Sequence, residues 1–253
     1  MKLATTALVF FISLSITAQQ KVNASKIIKD IKNGKNITYK NATIVGILDF
    51  TFMNDKVDKL PKRRKRWWNN NNSSNLIKEL IENKISFVNC TFEDNVLAYF
   101  HDEDSGYTFI ANFDDDVVFK NCNFKEHAMF KYSHFKEDAI FSDSKFNEDS
   151  TFKYAKFKSN SDFSNTHFKD SSTFKYSEFS KKVSFASSIF NESATFKYAK
   201  FKNGVSFNKT RFDENLDIKY TKVQGDFDIT QMHVEFHIDS KYTKINGKKF
   251  RYN

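Results

Sequence analysis

The sequence predicts an all-β protein: a four-sided parallel β-helix with a coil period of 22, a short N-terminal helix and two loop insertions. Three observations predict it. From Phe113 to Phe212 a Phe recurs at spacings that alternate between 6 and 5 without a miss. The residue two positions before each of these Phe is small. A Phe-Lys-Tyr string returns with a period of 22.

The Phe series passes through Phe119, Phe124, Phe130, Phe135, Phe141, Phe146, Phe152 and on to Phe212, nineteen rings in register. Ile218, Val223, Ile229 and Val234 continue it with aliphatics. The small partners are Ala111, Val117, Cys122, Ala128, Ser133, Ala139, Ser144, Ser150, Ala155, Ser161, Thr166 and so on to Thr210. On an extended segment, side chains at i−2 and i share one side. Each unit therefore sends one large and one small side chain inward. The positions between are mostly Lys, Asp, Glu, Asn and Ser, which face water.

A helix repeats every 3.6 residues or so, and a long strand alternates at about 2. Neither buries every fifth or sixth residue. Only a chain that runs short strand, corner, short strand, corner does so. Phe130-Lys131-Tyr132 returns as Phe152-Lys153-Tyr154, Phe174-Lys175-Tyr176, Phe196-Lys197-Tyr198 and Ile218-Lys219-Tyr220, with Lys241-Tyr242 as a sixth occurrence. Each step holds two longer and two shorter units, so one coil has four sides. Stacked coils pair as parallel strands about 4.8 Å apart, which sets each Phe on the Phe of the next coil. Burial contributes about 2–3 kcal/mol per Phe.

The string Ala/Ser/Thr-x-Phe-x-x, as in Phe-Lys-Tyr-Ala-Lys-Phe at 152–157 and 196–201, resembles the pentapeptide-repeat family over about residues 85–245. The resemblance implies a right-handed quadrilateral β-helix. The sequence departs from the common form by a sixth residue at alternate corners.

Along the chain, residues 1–18 are a basic start at Lys2, an apolar run Ala7–Ile16 and a small residue, Ala18, which is the pattern of a secretory signal peptide. An exported, periplasmic or extracellular protein is the expectation. Residues 19–36 are expected to form a capping helix, with Asn23 or Ser25 as its N-cap, Ile27, Ile28 and Ile31 on one face, and Gly34 at its end. The β-helix then occupies 37–253. Tyr39, Ile44 and Phe50 open it, with Phe50 read as equivalent to Phe87. Two insertions interrupt it, at about 51–84 and 99–112. In the first, 75–83 suits either helix or strand. The second, around Asp104-Ser105-Gly106, reads as a hairpin arm. Roughly seven coils make a rod about 35 Å long. The C-terminal edge is closed either by 246–253 folding over it or by a second copy meeting it end to end.

The chain carries a net charge of +9, and removing residues 1–18 takes away Lys2 alone, leaving +8. That balance favours an anionic glycan, a membrane surface or an acidic envelope protein as partner. No nucleic acid is expected outside the cytoplasm. The family also contains acidic rods that mimic DNA and bind topoisomerase. The basic charge and the leader set this chain apart from them.

The candidate binding residues fall in two groups. Tyr132, Tyr154, Tyr176, Tyr198, Tyr220 and Tyr242 share one outward position, each preceded by a Lys, as in Lys131, Lys153, Lys175 and Lys197. Lys156, Lys200, Lys222 and Lys244 lie near. Such a ridge suits stacked sugars or an anionic polymer, or else it is corner packing, ring on ring. Arg63, Arg64 and Arg66 lead into Trp67 and Trp68. That run suits an anionic membrane or glycan, or else is a solvated loop.

Cys90 and Cys122 occupy matching slots one coil apart, so they are either a disulfide or two small core thiols. The acids of His101–Asp104 and Asp114–Asp116 match no cation-binding motif. No catalytic motif and no cofactor site is found. A paired-carboxylate β-helix glycosidase is the enzyme alternative. The leading expectation is a non-catalytic interaction protein.

Overall fold

The computed structural model describes residues 19–61 and 75–252. Its body is a parallel β-helix of four sheets. One coil runs through the Phe119 side, the Phe124 side, the Phe130 side and the Phe135 side, and the next coil repeats them. The pairing register equals the sequence period: Val117 pairs with Ala139, Phe124 with Phe146, Ala128 with Ser150 and Phe135 with Phe157. Two of the sheets hold eight strands, so the rod has eight layers, one more than the repeat count alone suggests.

The Phe rings fill the interior. Phe119, Phe124, Phe130 and Phe135 are each no more than 1% exposed, as are their successors up to Phe201. Rings on one side stack in parallel: Phe130 on Phe152 at 5.3 Å and 7°, Phe152 on Phe174 at 4.9 Å and 4°. Rings on different sides meet edge to face, as do Phe152 and Phe163 at 5.2 Å and 82°. Both arrangements satisfy the ring quadrupole.

The small partners are buried beside them, and their hydroxyls replace water for the carbonyls of the coil below. Ser144 Oγ donates to Phe119 O at 2.7 Å, Ser188 Oγ to Phe163 O at 2.6 Å and Thr210 Oγ1 to Phe185 O at 2.7 Å.

The alternation of shorter and longer units has a structural cause. In the short corner after Phe130, Ser133 N donates to Phe130 O at 3.2 Å, and Tyr132 takes φ of 65°. This is the form of a type II turn, whose third residue needs positive φ. The short corner diagonally across uses Asn121, Asp143 and Asn165 for the same task. The longer corners spend the extra residue on a wider bend.

The N-terminus carries a strand, Gln20–Asn23, that extends the Phe124 sheet by pairing Val22 with Ile44. A helix follows at Ala24–Lys32. The Asn23 side chain accepts from Ser25 N, and Ile27 and Ile31 are buried over the first coil.

One expectation from sequence is corrected. Tyr39, and not Phe50, is the counterpart of Phe87, and Leu48 pairs with Val96, which places Phe50 over Ala98. The alternating spacings are the same two corners earlier or later, so the chain before the first insertion has two readings of equal regularity.

That first insertion leads into a strand, Leu76–Ile81, not a helix. It pairs in parallel with Tyr107–Phe113. The latter also pairs antiparallel with Tyr99–Asp102, completing the hairpin. Both insertions therefore leave the rod at one corner, between the Phe130 and Phe135 sides.

At the C-terminus, Lys248–Lys249 turns back antiparallel to Lys244–Ile245, and Phe250 sets its ring edge-on to Phe227 at 5.2 Å. Among the described residues, no helix is long and apolar enough to cross a membrane.

Candidate functional site

The corner that carries both insertions also carries the tyrosines. Each Tyr sits at the positive-φ position of its short turn, between φ of 61° and 65°. This backbone points the ring outward from the rod. Because every coil repeats the turn, the rings stack. Tyr132 lies 4.9 Å from Tyr154, Tyr154 is 4.7 Å from Tyr176, and Tyr176 is 4.7 Å from Tyr198. Tyr198 and Tyr220 follow at 4.7 Å, then Tyr220 and Tyr242 at 4.8 Å. Tyr99, from the hairpin, closes the upper end at 6.0 Å from Tyr132.

The stacking removes one of the two uses foreseen for the ridge. A sugar stacks on a free aromatic face, and inside this ladder each face already covers the next ring. Ring edges and phenol oxygens are what remain. Tyr242, the last ring, is 51% exposed.

Lysines flank the ladder on both sides. Along the Phe130 side, the ammonium groups of Lys131, Lys153, Lys175 and Lys197 stand 5.2 to 5.6 Å from the centroids of the tyrosines that follow them. Lys131 also donates to Tyr99 Oη at 3.1 Å. Lys219 departs from the row and pairs with Asp239 at 2.5 Å. Burial and the like charges of Lys131 and Lys175 push the Lys153 pKa down.

On the Phe135 side, the outward column runs His134, Lys156, Glu178, Lys200, Lys222, Lys244 in register. His134 to Lys222 of this column and Tyr132 to Tyr220 bound a groove of about 550 Å³ that runs along the rod. Leu76, Lys78, Ile110 and Asn112 form its upper end.

The charges along the groove are unequal. Glu178 is the only carboxylate among the described residues that line it. It is held by Lys200 at 2.8 Å and Lys202 at 3.1 Å. Hydrogen bonding from Lys200 first, with Lys202, brings its pKa down to about 2. The His134 pKa is lowered by burial and then by Lys156, Lys78 and Lys158. Burial alone disfavours the charged imidazole, and the three lysines add to it.

The end wall is invisible to the sequence reading. Its residues belong to an insertion, so no period points to them. Glu178 is equally hidden, as one acid in a column otherwise basic or neutral.

The other sequence candidates lie apart from this groove or outside the described residues. Arg63, Arg64, Arg66, Trp67 and Trp68 fall outside them, as do residues 1–18. The flanks of 62–74 are held at the hairpin: Tyr107 Oη donates to Pro61 O at 3.3 Å, and Asn75 Nδ2 to Gly106 O at 3.0 Å.

Cys90 and Cys122 are buried free thiols in the slot that Ser144, Thr166 and Ser188 fill in later coils. Cys122 Sγ donates to Phe87 O at 3.4 Å, in the manner of those hydroxyls. The hydrogen bond with Cys122 draws the Cys90 pKa down to about 7, while burial pushes Cys122 up. No group of three or more metal-ligating side chains occurs among the described residues.

Comparison with known proteins agrees with this geometry. A family model described as pentapeptide repeats, in 9 copies, matches residues 111–156, 130–178 and 174–222. No curated protein matches the sequence.

Proposed function

The chain belongs to the pentapeptide-repeat family, and we propose that it is an exported, non-catalytic interaction protein whose tyrosine and lysine groove receives an anionic partner. The family is a structural repeat family, and the repeat here builds a rigid rod. One observation carries the reading. Five stacked tyrosines, Tyr132 to Tyr220, and the lysines Lys156, Lys200 and Lys222 line one groove at a single corner, closed at its upper end by residues of the two insertions.

The chemistry of the groove favours binding over catalysis. Glycoside hydrolysis uses two carboxyl groups about 5–9.5 Å apart. Among the described residues the groove lining holds Glu178 as its one carboxylate, and that group is ion-paired on both oxygens. A row of ammonium groups facing water attracts a polyanion and gives binding that weakens with salt. The pattern of residues 1–18 and the net charge of +9 support a site of action in the envelope or outside it.

The test uses residues 19–253 and a triple variant, Lys156→Glu, Lys200→Glu and Lys222→Glu. Both are applied to carboxylated and to neutral polysaccharide resins. Retention of the wild type on the carboxylated resin alone, with earlier salt elution of the variant, supports the reading. Equal elution of both proteins contradicts it, and release of new reducing ends contradicts the non-catalytic part.

A further inference from the structure

We propose that the groove is a register-matched bed for a linear acidic polysaccharide, one carboxylate per sugar, lying parallel to the β-helix axis. The inference rests on the reading of the groove as an anion-binding surface and narrows the class of anion.

The first ground is spacing. The rungs of the tyrosine ladder repeat at 4.7 to 4.9 Å between Tyr132 and Tyr242. The Phe135-side column advances at the same coil height, because each of its residues is paired in register with the next. A pyranose unit with its glycosidic oxygen advances a chain by about one such step. A uronate polymer therefore offers one carboxylate and a set of hydroxyls to each coil in turn. The lysines take the carboxylates, and the phenol oxygens take the hydroxyls.

The second ground is what the groove refuses. Single-stranded nucleic acid is held by stacking its bases on free aromatic faces. Here those faces are closed by neighbouring rings, 2° from parallel at Tyr154–Tyr176 and at Tyr176–Tyr198. Duplex phosphates recur about every 3.4 Å along a strand, out of step with the coils. A lipid surface calls for apolar side chains that enter it. Of the exposed large hydrophobics, Val45, Ile47 and Phe236 stand on the next corner, between the Phe124 and Phe130 sides, and Leu80 and Tyr242 lie singly at opposite ends of the groove corner, so the groove offers no continuous apolar face.

The third ground is the interruption at Glu178. It stands in the middle of the column and ties up Lys200 and Lys202. A bound carboxylate at this rung meets a carboxylate. Glu178→Gln removes that repulsion and frees two ammonium groups for the ligand.

The test is a length series of oligogalacturonates, from two to ten sugars, titrated against residues 19–253 by calorimetry. An exposed ion pair is worth about 0.2–1 kcal/mol, so each added sugar is expected to tighten binding about two- to three-fold up to six sugars, with a plateau beyond. Glu178→Gln is expected to tighten the hexamer two- to five-fold and leave the dimer nearly unchanged.

Neutral maltohexaose, hexameric dT and vesicles rich in anionic lipid are the comparison probes. Dextran sulfate distinguishes sulfate from carboxylate as the charged group. Weaker binding of dT than of the uronate hexamer supports the register match. Equal binding of dT and uronate per charge, or affinity that rises past ten sugars without a step, overturns the register match and leaves a general anion surface. Failure of every anionic probe to bind overturns both.

Discussion

Tyr154 and Tyr176 hold the same place in successive coils and lie face to face at 4.7 Å, within 2° of parallel. Each occupies a backbone position with positive φ, 62° and 61°. Such a position costs an ordinary L-residue about 1–2 kcal/mol relative to right-handed backbone. The opposite corner meets the same need first with Asn121, Asp143 and Asn165, which tolerate it, and in later coils with Ser187, Lys209 and Gln231. Tyr is not a residue that this backbone selects, so the stack must offset what the backbone costs. Tyr176→Asn should therefore leave thermal stability nearly unchanged, while Tyr176→Ala lowers it, because Ala keeps the strain and loses the rings. Thermal melts of the two variants check this. If Tyr176→Asn also loses polyuronate binding while staying folded, the ring acts in recognition as well as in packing.

The core predicts a gradient along the rod. Phe152 is fully buried among Phe130, Phe141, Phe163 and Phe174. Val234, near the C-terminal end, is only partly buried. Phe152→Ala should cost about 3–5 kcal/mol, the range for large-to-small changes in tight cores, and Val234→Ala clearly less. Urea unfolding measures both. Equal losses would mean that the end coil is packed as tightly as the middle.

Glu178 makes stability depend on acid. Its folded-state pKa of about 2 lies below the usual glutamate value. A carboxyl whose pKa falls on folding stabilises the protein above its unfolded pKa and loses that contribution as pH falls through the folded value. The wild type should therefore be more stable than Glu178→Gln at pH 6. The difference should shrink as pH falls from about 4.5 to about 2. Thermal melts across that range test the sign.

The C-terminal turn guards an open end. Three sheets finish in Phe227–Asp228, His233–Val234 and Ile238–Asp239, each with one edge unpaired. The tail covers Phe227 with Phe250, and Asn246 ties back to Gly225 through two hydrogen bonds of 2.8 and 3.1 Å. Unpaired edges recruit further strands. Truncation after Asn246 should raise the apparent mass with concentration in light scattering, through end-to-end pairing of copies. An unchanged monomer would show that the tail is not what blocks the edge.

Most of the fold is legible in the sequence because every coil restates the same two demands. A ring must go in at Phe130, Phe152 and Phe174, and a small residue must sit two places before it. The first coil is harder to place, since Tyr39, Ile44 and Phe50 carry no outward marker such as the Lys-Tyr pair. The strand Leu76–Ile81 is ambiguous because its apolar residues suit a helical face as well as a strand. Its strand state is set by pairing with Tyr107–Phe113, distant in sequence. The tyrosine column can be read from the repeat, but not that its ring faces are closed, which depends on the height of one coil.

The β-helix requires that equivalent residues of successive repeats lie one layer apart. His167 and Ile189 are outward neighbours in register on the Phe124 side, and Arg211 is one layer further. Paired cysteines at His167 and Ile189, in a Cys90→Ser, Cys122→Ser background, should form a disulfide readily under mild oxidation. Cysteines at His167 and Arg211 should not, since two layers exceed the roughly 7 Å that a disulfide spans. Cross-linking of the second pair as fast as the first would contradict the stacked-coil register.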